Sequence, residues 1–208
     1  YRKMSIVIAE RCEDGVRFAF DSQRTDDSMK TRGLIPGAAM NVVHMDNGIT
    51  IGAVGNLAVK QVLTHHPEWF AGLDDGPLTK QYVVTEILPK LYPILKEKKQ
   101  LNEDMTELGA SLAMGKFLLA KGRDLLYLDS DFSVMTVRKY AVIGKGFFWG
   151  LCPAFYAEDC TRISWKERAL RGLRAIQAHA NTVSSPYIFT DTMNRKFEFV
   201  TEGEAVCL

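Results

Sequence analysis

Apolar residues alternate or run in short blocks at both ends of the chain, and fall into helical spacing between them. Ile6-Val-Ile-Ala9 is a short apolar block, ended by the turn pair Asp14-Gly15. Val16-Arg-Phe-Ala-Phe-Asp21 follows, so the opening reads as a β-hairpin. Met40 to Met45 and Ile49 to Val54 form a second hairpin around Asn47-Gly48, a strong turn signal. The polar segment Asp26 to Gly37 between the hairpins reads as a loop. Leu57, Val59, Val62 and Leu63 then recur at helical spacing. The histidines His65-His66 precede Pro67 and mark that helix's end. After a loop over Gly72 to Pro77, Leu78 to Gln100 carries a broad apolar stripe: Val83, Val84, Ile87, Leu88, Leu91, Ile94 and Leu95. Pro89 and Pro93 interrupt it, which predicts a kink or a helix in two pieces. Strands are predicted over Ala110 to Ala120, Asp124 to Leu128, Val134 to Val137 and Tyr140 to Ile143. A short helix is expected from Gly146. Ser164-Trp-Lys-Glu167 is a capping box that opens a helix to about His179. Tyr187 to Thr190 and Lys196 to Val200 close with strands.

The order is strands, helices, strands, helices, strands. It implies the α+β class: a four-layer αββα sandwich of two antiparallel sheets flanked by helices, not a doubly wound parallel sheet. The 208 residues show no internal repeat and no low-complexity linker, so residues 1–208 are expected to form a single domain. Apolar residues make up 47% and charged residues 25%, a soluble globular mix. The net charge of +1 gives no reason to expect nucleic acid or an anionic membrane as a partner. No apolar run approaches the roughly 20 residues of a membrane span. The four cysteines form no Cys-x-x-Cys pair and lack companion histidines, so neither a metal nor another cofactor is expected. Free thiols in a reducing, cytoplasmic setting are the expectation. Gly144-Lys-Gly-Phe-Phe-Trp-Gly150 has glycines but not the spacing or the Lys-Ser/Thr ending of a phosphate loop.

A hydroxyl residue, Ser5, opens the first strand and a carboxylate, Asp21, ends the second. Pairing across Asp14-Gly15 brings the two into one neighbourhood. An N-terminal-nucleophile (Ntn) hydrolase begins in this way: a Ser, Thr or Cys at the start of the mature chain attacks a carbonyl, with its own amine as base. Gly15-Val-Arg-Phe-Ala-Phe-Asp-Ser-Gln-Arg-Thr25 and Gly52-Ala-Val-Gly-Asn-Leu-Ala58, in this order and spacing, resemble the proteasome β-type subunits and their bacterial relatives. The resemblance covers most of the chain and implies the Ntn-hydrolase fold and a threonine/serine-type peptidase ancestry. It places Ser5 at the nucleophile and Asp21 at the carboxylate that orients a catalytic lysine. Asn41 stands where that lysine is expected. The family's Gly-Ser-Gly turn becomes Gly144-Lys145-Gly146. Its Asp-x-x-Ser pair becomes Asn181-Thr-Val-Ser184, which keeps the serine and loses the carboxylate.

The candidate site is therefore Ser5, Asp21, Asn41, Lys145, Asn181 and Ser184, with its cation replaced by an amide. Two readings of Ser5 stay open, a nucleophile and an ordinary strand-start residue. Two also stay open for Lys145: a solvated turn lysine, and a replacement cation beside Ser5. Tyr1 to Met4 precede Ser5 and would keep its nitrogen acylated unless trimmed. The functional expectation is a proteasome-type subunit with a partly degenerate active site and little activity. The alternatives are an active N-terminal-Ser peptidase or amidohydrolase after trimming to Ser5, and a purely structural ring subunit. A homo-oligomer is expected, because the Leu78 to Gln100 stripe exceeds what one sheet face needs. A peptide or protein substrate follows if the site is active, and no ATPase partner is identified.

Overall fold

Alternating side chains in the hairpin strands supply two apolar faces each, and the chain buries both. The computed structural model describes residues 5–22, 24–25, 30–31, 41–73, 76–99, 101–102, 112–113, 115–144, 163–179 and 183–201. The first sheet contains β1 (Ile6–Arg11), β2 (Val16–Asp21), β12 (Tyr140–Gly144), β13 (Tyr187–Asp191) and β14 (Glu198–Val200), in the order β12-β1-β2-β13-β14. The second contains β5 (Val42–His44), β6 (Ile49–Gly55), β9 (Gly115–Lys121), β10 (Asp124–Leu128) and β11 (Val134–Thr136), in the order β11-β10-β9-β6-β5. Every pairing within the two sheets is antiparallel. This is the predicted α+β sandwich, and the strand after Ser5 lies beside the strand that ends at Asp21.

Three apolar layers follow from the alternation. Val7, Phe18 and Phe20 of the first sheet meet Val42, Leu118 and Leu125 of the second between the sheets. Ile6, Ile8 and Ala19 face outward onto Leu170, Leu173 and Ile176 of α4 (Trp165–His179). Ile49, Ile51, Phe117 and Leu119 face the other way, onto α1 (Leu57–Thr64) and α3 (Leu88–Glu97). Each buried side chain of this size contributes roughly 1.5–3 kcal/mol. Gly52 lets the sheets approach, since a Cβ there would sit 3.2 Å from Val7 Cγ1. The N-cap half of the expected capping box is formed, with Glu167 N donating to Ser164 Oγ at 3.2 Å.

Three local expectations change. The stripe from Leu78 does not break at its prolines. A short α2 (Lys80–Tyr82) runs through a π turn (Val83–Ile87) into α3. Pro89 has no N–H for the carbonyl four residues earlier, and a widened turn just before it relieves that conflict. Part of the expected loop is paired: β3 (Arg24–Thr25) lies against β4 (Lys30–Thr31), where the β-branched threonines suit extended backbone. Between the long helix and β9, β7 (Leu101–Asn102) pairs with β8 (Leu112–Ala113). The helix expected from Gly146 lies outside the described residues. Among the described residues, no helix is long and apolar enough to cross a membrane.

The second sheet is latched to the first by His44. Its Nδ1 is 2.8 Å from Thr50 Oγ1, and its Nε2 is 2.7 Å from Thr190 Oγ1 of β13. The Phe197 ring packs on it at 5.1 Å between centroids. Burial, and then the Arg195 guanidinium, push the imidazole from an ordinary 6.5 down to about 4. The unfolded chain therefore binds a proton between pH 6.5 and 4 that the folded chain refuses. Stability should be fully present above pH 6.5, fall as pH drops toward 4, and flatten below it. Denaturant melts of the wild type and His44→Gln across this range check the expectation: the variant loses this part of the slope.

Candidate functional site

The antiparallel registers place strand ends from both sheets at one edge of the sandwich. β1 begins there and β2 ends there, since Val7 pairs with Phe20. Asn41, just before β5, reaches that edge from the second sheet, and its carbonyl accepts Ala53 N at 2.7 Å. β6 therefore ends at this edge, β9 starts there because Gly55 pairs with Gly115, and β10 ends there because Leu128 pairs with Phe117.

At the centre of this edge is Asp21, 1% exposed. Its Oδ1 accepts Ile6 N at 3.1 Å and Asn41 Nδ2 at 3.1 Å. Asn41 Nδ2 also reaches the Asp21 carbonyl oxygen at 3.2 Å. The carboxylate thus fixes the backbone directly after Ser5 and ties it to the second sheet. On the other side of Ser5, β12 ends at Gly144, which pairs with Ile6. Gly144 has φ +113°, and a Cβ there would fall 2.0 Å from the Ser5 carbonyl oxygen. Only glycine lets the strand pass so close.

The structure thus brings Ser5, Asp21 and Asn41 together, with Ser5 and Asn41 half-buried. Ser184 lies three residues before Tyr187, the partner of Asp21, so it belongs to the same edge. It is 7% exposed and its Oγ has no hydrogen-bond partner among the described residues. Lys145, Asn181 and the residues before Ser5 lie outside the described residues. Among the described residues, no cluster of three or more His, Cys, Asp or Glu side chains suits a metal ion.

Two features of the opposing sheet escaped the sequence reading. Lys116 Nζ lies 2.8 Å from Asp129 Oδ1 and donates to Tyr127 Oη at 3.1 Å. Burial and the neighbouring Asp129 push the Tyr127 phenol up to about 12. Burial would raise the Asp129 carboxyl, but hydrogen bonds from Lys116 and Tyr127 outweigh it and hold it at about 2. The alternation of β9 and β10 could have shown Lys116 and Tyr127 sharing the inner face. The second feature is Lys60 in α1, 6% exposed and with no hydrogen-bond partner for Nζ among the described residues. Burial draws its ammonium down to about 8. Its place beside Val59, Val62 and Leu63 was the available signal.

Comparison with solved structures finds this architecture elsewhere. The BPH protein of Thiobacillus denitrificans superposes with a TM-score of 0.67 at 18% identity, over 94% of this chain and 98% of that one. Anbu (ancestral beta-subunit) of Yersinia bercovieri gives 0.65 at 13%, over 95% and 88%. Eukaryotic HslV of Trypanosoma brucei gives 0.61 at 13%, over 89% and 98%. No family model and no curated protein matches the sequence. At these identities the likeness establishes the fold, which is the proteasome-like Ntn-hydrolase fold.

Asp21→Ala should leave Ile6 N–H without its acceptor and the Asn41 amide with only the backbone carbonyl of residue 21, and cost about 1–3 kcal/mol in urea unfolding. Gly144→Ala forces a left-handed backbone angle and a backbone clash, and should cost at least about 1–3 kcal/mol. Amide exchange at Ile6 would report both, with protection falling in each variant.

Proposed function

We propose that this chain is a subunit of a proteasome-type homo-oligomer whose Ser5 peptidase site is attenuated. The observation that carries this reading is the Asn41 amide donating to Asp21 at 3.1 Å, where the resemblance expects an ammonium. The scaffold around the nucleophile position is built, since Asp21 and Gly144 fix the backbone on both sides of Ser5. What Asn41 cannot supply is positive charge. An amide donates the hydrogen bonds that keep the geometry, but it does not favour the deprotonated state of a neighbouring hydroxyl or amine. Loss of one tuned acid–base component lowers the rate by roughly 10²–10⁴-fold.

Assembly is supported by the helical face that covers the second sheet. Val84 and Tyr92 are large apolar side chains exposed there. A second reading, an active peptidase or amidohydrolase once the chain starts at Ser5, is favoured by the orphan Ser184 hydroxyl at the same edge. In that reading Lys145 replaces the missing cation. A purely structural ring subunit is the reading left if neither form hydrolyses anything.

The test uses chains with and without residues 1–4, assayed on fluorogenic peptides beside Ser5→Ala, Lys145→Ala and Asn41→Lys. The expected result is weak or no hydrolysis by the native site and a gain of roughly 10²-fold in trimmed Asn41→Lys. Robust hydrolysis by the untrimmed native chain, abolished by Ser5→Ala, overturns attenuation. Activity of the trimmed native chain that Lys145→Ala removes selects the second reading. Light scattering at tens of micromolar should give a mass well above the 23.4 kDa protomer.

A further inference from the structure

Lys60 is a buried cation. Its side chain is 6% exposed, and among the described residues its Nζ finds no hydrogen-bond partner. The contrast with Lys116 is direct. That lysine, at the same edge of the sandwich, has Asp129 at 2.8 Å and the Tyr127 hydroxyl at 3.1 Å. Burying an unpaired ammonium is among the costlier things a fold can do, and an aliphatic side chain of similar length would fill the same space without that cost. Burial draws the group down to about 8, so at neutral pH most of it remains charged. The penalty is therefore carried in the resting protein.

The position of Lys60 relates that cost to the Ser5 edge. α1 starts two residues after β6 ends, and Lys60 N closes the first helical turn on Asn56 O at 3.4 Å. The preceding residue, Val59, packs beside Gly115 at the start of β9, with Cγ1 3.5 Å from a Cβ built there. Gly115 pairs with Gly55, and Ala53 in turn holds Asn41. The first turn of α1 thus stands at the edge that holds Ser5, Asp21 and Asn41, on the opposing sheet. Ser184, whose buried hydroxyl also finds no partner among the described residues, lies at this edge too.

We propose that Lys60 is a specificity-determining residue of the Ser5 cleft and receives a carboxylate of a bound peptide. This rests on the reading of that edge as a peptide site, but it requires binding only and holds whether or not Ser5 performs chemistry. The carboxylate can come from an acidic side chain or from a peptide C-terminus. Either would give the ammonium the charged hydrogen bond that the chain withholds, and a charge-assisted hydrogen bond in a dry site is worth roughly ten- to a hundredfold in affinity.

The experiment is calorimetric titration of the full chain with four short peptides. Two are fully capped, acetyl-Ala-Ala-Glu-amide and its Gln isostere. Two differ at the terminus, acetyl-Ala-Ala-Ala as the free acid and as the amide. At least one carboxylate peptide should bind roughly tenfold or more tightly than its neutral twin, and which one does so identifies the source. Lys60→Met should remove that preference, leave the neutral peptides within about twofold, and melt at a higher temperature than the wild type. Lys60→Gln is run beside it in case the apolar variant misfolds. If the neutral peptides bind and their acids bind no better, or if the preference survives both substitutions, the Lys60 assignment is wrong. If none of the four binds, the cleft reading fails and takes the assignment with it. A Lys60→Met protein that melts well below the wild type would show the ammonium to be structural, which also overturns the proposal.

Discussion

The Asp21 carboxylate accepts hydrogen bonds from both sheets, from Ile6 N in the first and from Asn41 Nδ2 just before β5 of the second. This buried junction sets the edge of the sandwich. A carboxylate buried to 1% exposure demands donors, and the chain supplies them from the two points that must stay together if Ser5 is to face the opposing sheet. Gly144 closes the third side, since its missing Cβ is what allows β12 to pair as far as Ile6. Away from this edge, His44 and its two threonines repeat the device with neutral groups, and the inter-sheet core of Phe18, Phe20 and Leu118 lies between them. The two sheets are thus pinned by polar contacts on either side of an apolar middle, which fixes their relative slide as greasy faces alone would not.

Most of the fold was legible because its signals are local. Asp14-Gly15 and Asn47-Gly48 each dictate a tight hairpin, and the alternation in Val16 to Asp21 admits only one inward face. Ser164 and Glu167 announced the start of α4 in the same way. The π turn was not legible, because Pro89 declares a conflict without saying how neighbouring turns absorb it. Nor was the small β3–β4 ladder, whose pairing depends on where the two sheets place its ends.

The site divides along the same line. Ser5 and Asp21 were placed by pairing across a hairpin and Asn41 by the resemblance, and strand register brings the three together. Lys60 and the Lys116–Tyr127–Asp129 group depend on which residues face each other across sequence distance. Lys60 in particular reads as an ordinary helix lysine until its surroundings are known. Its significance lies in what is absent around it, and absence has no local signature in sequence.

On the proposed reading, an amide at Asn41 in place of a lysine is structurally mild for a definite reason. Asp21 needs a donor from the second sheet, and an amide provides that donor at 3.1 Å as an ammonium would. The hydrogen bonding that holds the edge therefore survives, and only the charge is lost. Geometry and electrostatics, which a single lysine would supply together, are separated in this chain. The superposition with BPH, Anbu and HslV reports the first of these and is insensitive to the second. A fold can thus be shared at 13–18% identity without fixing the chemistry at its edge. At that edge Lys116 is neutralised by Asp129, whereas the Nζ of Lys60 finds no hydrogen-bond partner among the described residues.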